Sequence, residues 1–221
     1  MKSLGKLILF LIVITYKGTS AQEAQNPIIL ADVPDMSMIR VGDTYYMSST
    51  TMHMSPGVPI MKSQDLVNWT LVNYAYDHLA DSDALNLSHH KNAYGHGSWA
   101  SSLRFHEGSY YLSTFSSNTG KTHIYTTKDI ENGPWRAHEF HPMLHDHSLF
   151  FDHGKIYMIW GSGRLHMAEL KADLSGIRAG TERILIEDAS LPSLPKGAKM
   201  GLPAEGSQLF KVKGMYYLFN N

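Results

Sequence analysis

The sequence contains no cysteine in 221 residues. That excludes disulfide scaffolds, cysteine zinc sites, iron–sulfur clusters and thiol nucleophiles. Charge of neither sign dominates, with 19 Lys plus Arg against 20 Asp plus Glu. A nucleic-acid binder would carry a basic surplus, so that class is excluded as well. Long apolar runs are missing. The run Leu7 to Ile14 is eight residues, far short of the roughly 20 that a membrane-spanning helix needs. Sustained 3.6-residue periodicity is also absent, which argues against helical bundles and coiled coils. What remains, with 43% hydrophobic and 11% aromatic residues, is an ordinary globular composition.

The first 21 residues read as an export signal. Lys2 and Lys6 precede the short apolar run, and Thr19-Ser20-Ala21 supply the small residues of a cleavage site. Cleavage after Ala21 is expected, and no lipid-bearing cysteine follows. Loss of Lys2, Lys6 and Lys17 leaves 16 basic and 20 acidic residues, a net charge of -4. Neutral or cationic partners suit such a chain better than polyanions. Residues 22–221 then form one all-β domain. Short β-branched and aromatic runs alternate with turn residues throughout.

One motif occurs four times. Asp35-Met36-Ser37 leads to Gly42 and Tyr45-Tyr46, and Ala100-Ser101-Ser102 leads to Gly108 and Tyr110-Tyr111. Asp146-His147-Ser148 leads to Gly154 and Tyr157, and Glu205-Gly206-Ser207 leads to Gly214 and Tyr216-Tyr217. Each copy predicts a β-hairpin with glycine in its turn. The fourth is one residue longer, and the extra residue is expected in the turn. Copies begin 65, 46 and 59 residues apart, a spacing that suits four-stranded blades with variable loops. A β-propeller of which about three and a half blades are present is therefore expected. A β-sandwich is the alternative, but it gives no reason for a serine-to-tyrosine spacing shared between units. The polar insertion from Tyr74 to Gly97 is expected to form a rim or lid.

Two residues before the repeat serines stand Asp35, Ala100, Asp146 and Glu205. Equivalent positions in a propeller face one axis, so three acids distant in sequence are predicted to meet in one pocket. Capping of each strand by its own acid is the simpler alternative. Clustered like charges are costly and raise the pKa of at least one member, a cost usually tied to function. Carboxylates without thiol or metal cluster suit glycosidic bond cleavage, one protonating the leaving oxygen and one activating water. Glutamate has the reach for the proton donor, and a third carboxylate can set the donor's pKa.

These segments resemble glycoside hydrolase family 43. The likeness rests on Asn26-Pro27-Ile28 through Asp35-Met36-Ser37 to Trp69, then on Trp99-Ala100-Ser101, Asp146-His147-Ser148 and Glu205-Gly206-Ser207, in that order. The resemblance implies a five-bladed propeller that hydrolyses with inversion. Asp35 would be the general base, Asp146 the pKa modulator and Glu205 the general acid. Base and acid carboxyls of an inverting enzyme lie about 6.5–9.5 Å apart. Met36 and Ser101 stand where the family usually has proline. The implied substrates are terminal β-D-xylosyl or α-L-arabinofuranosyl residues of plant hemicellulose. Pro56-Gly57-Val58-Pro59-Ile60 is more similar to exo-acting xylosidases than to endo-arabinanases. A non-catalytic carbohydrate-binding propeller is the alternative from another class. No cofactor is implied, although a structural calcium ion occupies the channel in some members.

Among the remaining residues, Trp99 is a candidate for sugar stacking and His53 a candidate to reach the pocket. Trp69 and Trp135 are expected to pack within blades. The 13 histidines, His145 and His147 among them, show no metal-ligand spacing and read as rim and loop residues.

Overall fold

Each copy of the repeat opens a separate antiparallel sheet. The computed structural model describes residues 24–52, 55–189, 196 and 203–220. The first sheet contains β1 (Ser37–Val41), β2 (Thr44–Ser48), β3 (Gly57–Ser63) and β4 (Thr70–Tyr76). The second contains β5 (Ser102–His106), β6 (Ser109–Ser116), β7 (Lys121–Thr127) and β8 (Arg136–Phe140). The third contains β9 (Ser148–Asp152), β10 (Lys155–Trp160), β11 (Leu165–Glu169) and β12 (Arg183–Ile186). The fourth is the hairpin of β13 (Gln208–Val212) and β14 (Met215–Phe219). Strands follow one another in chain order within every sheet. The all-β reading thus holds, with three four-stranded sheets and a two-stranded one among the described residues.

Turn chemistry sets the register of the four opening hairpins, and all four loops have two residues. Val41 pairs with Thr44, His106 with Ser109, Asp152 with Lys155 and Val212 with Met215. In the last three loops both residues have positive φ, as in Glu107-Gly108, His153-Gly154 and Lys213-Gly214. This type I′ geometry matches the twist of the flanking strands. In the first loop the glycine comes first, and Gly42 alone turns left-handed, the II′ pattern. The extra residue of the fourth copy is therefore not in the turn. Gln208 is already paired with Phe219, so Ser207 lies one position ahead of the ladder. A two-residue loop is closely fitted to strand twist, so the surplus residue is taken up at the entry of the strand.

Successive sheets pack face on face through apolar cores. Val58, Ile60 and Tyr76 of the first sheet meet Leu103, Leu112 and Tyr125 of the second. Ile124 and Phe140 then meet Leu149, Met158 and Ala168 of the third, and Phe150, Ile159 and Met167 of the third meet Leu209 of the hairpin. The insertion after β4 is anchored in the first core, where Leu79, Leu85 and Ala93 are buried. Trp135 packs against the same core. Trp69 is half-buried, and its indole N–H donates to the Leu66 carbonyl at 3.1 Å.

The repeat serines link the opening strands of neighbouring sheets. Leu103 N–H donates to Ser37 Oγ at 3.0 Å, and Leu149 N–H donates to Ser102 Oγ at 3.1 Å. Ser148 Oγ donates to the Ser207 carbonyl at 2.6 Å. β1 packs against β5, β5 against β9 and β9 against β13. Arg104 on β5 adds a second link. Its guanidinium donates to the Leu149 carbonyl and to Gln208 Oε1 and lies over the Phe210 ring, joining the second sheet to the third and fourth. Burial holds its pKa down, at about 10.

Candidate active site

The residue before each position of interest is held by the backbone. Thr50 N–H, just past β2, donates to the Pro34 carbonyl at 3.2 Å. Trp99 N–H donates to the Phe115 carbonyl of β6 at 2.9 Å, and Gly161 N–H, past β10, donates to the His145 carbonyl at 3.1 Å. Gly163 N–H donates to the Ala204 carbonyl at 2.7 Å. Asp35, Ala100, Asp146 and Glu205 therefore leave clamped segments directly ahead of the linked opening strands. Asp35 and Asp146 sit in left-handed backbone, with φ of 50° and 46°. Aspartate tolerates that region better than most residues. At the fourth position the turn falls on Gly206 instead, with φ 63°.

Asp146 and Glu205 converge on an imidazole. His145 Nε2 lies 3.3 Å from Glu205 Oε2 and 3.8 Å from Asp146 Oδ2. Asp35 feels the same group electrostatically. Burial first, and then the Glu205 charge, raise the Asp35 carboxyl above its ordinary value. Asp146 is also raised, chiefly by burial, with Glu205 and Asp35 adding to the shift and His145 opposing it. Three carboxylates lie within mutual electrostatic reach, and Asp35 and Asp146 are biased toward the protonated form, the kind of arrangement general acid–base chemistry uses.

His145, Asp146 and Glu205 offer ligand atoms within 4.8 Å of one another. Among the described residues this group could hold a metal ion, which the sequence did not suggest. An imidazole with two carboxylates fits a transition ion better than calcium, whose ligands are oxygens.

Ala100 places no charge at the second position. Trp99 beside it is half-buried. Its carbonyl accepts from Thr114 Oγ1 at 2.7 Å. The neighbouring Phe115 ring packs edge-on against His145, with centroids 5.4 Å apart. His53 lies outside the described residues. A cavity of about 600 Å³ lies elsewhere, between β4 and β7–β8, lined by Tyr74, Tyr125, Trp135 and Glu139. The carboxylates are not among its walls. His145 is the site residue that sequence reasoning passed over. The available signal was its place in the repeat, where the other copies have Pro34, Trp99 and Ala204.

Residues 24–220 match the model of glycosyl hydrolases family 43. The chain belongs to glycosyl hydrolase family 43. A β-xylosidase of Formosa agariphila is 34% identical to this family 43 chain over 204 residues, covering 88% of it and 33% of the relative. A non-reducing end α-L-arabinofuranosidase of Bacteroides ovatus is 28% identical and covers the whole chain and 40% of its own length. A solved structure, the bifunctional GH43-CE protein of Bacteroides eggerthii, is 69% identical with a TM-score of 0.84, over 89% of this chain and 25% of that one. The family 43 chain thus spans about a third of the length of the β-xylosidase it matches.

Proposed function

We propose that this chain carries the catalytic carboxylates of an inverting glycoside hydrolase that removes terminal β-D-xylosyl or α-L-arabinofuranosyl residues from plant hemicellulose. In this reading Asp35 is the general base. It takes a proton from the water whose oxygen attacks the anomeric carbon. Glu205 is the general acid and delivers its proton to the departing glycosidic oxygen. Asp146 is the pKa modulator, and Trp99 offers an apolar face to a sugar ring. The four sheets are blades of a five-bladed propeller whose opening strands surround the site. Export by the segment Met1–Ala21 takes the protein to the periplasm or the medium, where its partner is an oligo- or polysaccharide.

The observation that carries the proposal is the coupling of Asp35, Asp146 and Glu205 from three separate repeats, two of the three raised in pKa partly by the others. Strand capping would not bring their charges into contact. Named relatives that cleave xylosides and arabinofuranosides support the sugar class.

The test is hydrolysis of nitrophenyl β-xyloside and α-arabinofuranoside by the full-length protein, with the first-formed anomer read by NMR. Turnover of the β-xyloside to α-xylose is expected. Appearance of β-xylose first would overturn the inverting mechanism. Glycan binding without turnover would replace the hydrolase reading by a lectin.

A further inference from the structure

We propose that His145 is a positioning residue that orients Glu205 for proton delivery, a role resting on the assignment of Glu205 as general acid. Glu205 has two carboxyl oxygens, and only one can carry the proton toward a glycosidic oxygen. His145 Nε2 lies 3.3 Å from Oε2. In the tautomer protonated at Nε2 the imidazole donates Nε2–H to Oε2, which accepts whether Glu205 is a neutral acid protonated on Oε1 or a carboxylate. Oε1 is then the oxygen left to hold the transferable proton. The donor is itself fixed from two sides. The edge-on Phe115 ring holds the imidazole plane, and Gly161 N–H holds the His145 carbonyl. Asp146 Oδ2, 3.8 Å from the same nitrogen, faces it from the adjacent residue. The imidazole therefore spans the two carboxylates that the proposed reaction uses as acid and modulator. Its side chain is 48% exposed, which leaves the site open to a substrate.

The geometry gives this bond a particular weight in the reaction. Before proton transfer, His145 donates to a neutral acid. As the proton leaves Oε1, negative charge develops on Glu205 and the same bond becomes charge-assisted, about twice as strong as a neutral one. An interaction that strengthens toward the transition state raises kcat without tightening substrate binding. Its weight should scale with the need for acid assistance, so it is large for a sugar leaving group and small for an activated phenol.

The experiment compares His145→Ala and His145→Gln in the full-length protein. The substrates are an unactivated disaccharide (xylobiose or arabinobiose, whichever is turned over) and the matching dinitrophenyl glycoside. For His145→Ala we expect kcat on the disaccharide to fall about 10- to 100-fold, at or below the usual loss for one preorganised donor. KM and the rate on the dinitrophenyl glycoside should stay within about twofold of the native values. The Gln amide N–H2 reaches close to the Nε2 position, so His145→Gln should recover most of the loss. Equal losses on both substrates, a rise confined to KM, or a Gln variant no better than Ala would each overturn the inference. Should His145→Ala fail to fold, His145→Met, which fills the space without a donor, is compared with Gln on the same criteria. Glu205→Gln separates this inference from the reading beneath it. If that variant cleaves the disaccharide at the native rate, Glu205 is not the acid and both fall. If it is inactive while His145→Ala matches the native protein, only the role of His145 falls.

Discussion

At the scale of single residues, Asp35 and Asp146 each carry two costs. Both occupy left-handed backbone, where a Cβ is strained, and both have carboxyls raised by burial and by neighbouring acids. A raised folded-state pKa means that the unfolded chain gives up the proton more readily. Stability is therefore greatest below the ordinary carboxylate range and is lost as pH rises through the folded value. At neutral pH these two acids work against folding. Asn keeps the shape, removes the charge and adopts positive φ readily. Asp35→Asn and Asp146→Asn should each raise the midpoint of urea unfolding at pH 7 while activity collapses. A lowered midpoint at pH 7 would mean that the acids are held by favourable partners and are not strained. The prediction reads as stability exchanged for chemistry, and it does not depend on which acid has which role.

At the scale of elements, the repeat serine has a structural task. Ser37 and Ser102 are buried and accept the N–H of Leu103 and Leu149, each on the opening strand of the next sheet. Those N–H groups lie between sheets, where the backbone ladder does not reach. Removing the hydroxyl leaves a buried donor without an acceptor, which costs about 1–3 kcal/mol. Ser37→Ala and Ser102→Ala should each lower unfolding free energy by that amount. A loss under about 0.5 kcal/mol would mean that water replaces the hydroxyl without penalty. The serine spacing was legible in the sequence, and so were the hairpins and the start of each sheet, because turn glycine and period-2 patterning are local signals. The partner of each serine was not legible, since Leu103 and Leu149 come from other repeats. The entry of β13 was misplaced for a related reason. A residue count between Ser207 and Tyr217 cannot tell a longer turn from a longer lead-in. A fourth strand was expected in the third sheet, but the position of β12 was not legible, because Arg183–Ile186 follows a loop and carries no glycine-tyrosine signature. At the site, the alignment of Asp35, Asp146 and Glu205 was readable from the repeat, whereas His145 was hidden among 13 histidines until the fold placed it between two acids.

At the scale of the whole molecule, acid stability is set by two histidines buried at the junction of the second and third sheets. His123 on β7 and His147 ahead of β9 are each about 2% exposed. Desolvation pushes both pKa values down to about 4. His147 Nδ1–H donates to the Leu144 carbonyl at 2.8 Å, which leaves Nε2 to take the proton. That atom is buried and has no hydrogen-bond partner. His123 Nε2 is bonded to Thr119 Oγ1 at 2.8 Å, and its other nitrogen lies 3.6 Å from Glu139, too far to offset the loss of hydration. The folded pKa lies below the unfolded value near 6.5, so the unfolded chain binds protons first on acidification. Stability is full above about pH 6.5, falls as pH drops toward 4, and levels off below that for these groups. A depression from 6.5 to 4 amounts to about 3 kcal/mol per histidine at most. The raised carboxyls of Asp35 and Asp146 act in the opposite sense in the lower part of this window, so the net slope is smaller than the two histidines alone would give. Urea unfolding measured at half-unit steps from pH 7 to 4 should show the decline. His123→Gln, which keeps a partner for Thr119, should remove about half of it. An unchanged slope in that variant would show that His123 is charged in the folded protein, and the junction between the second and third sheets would then have to admit water.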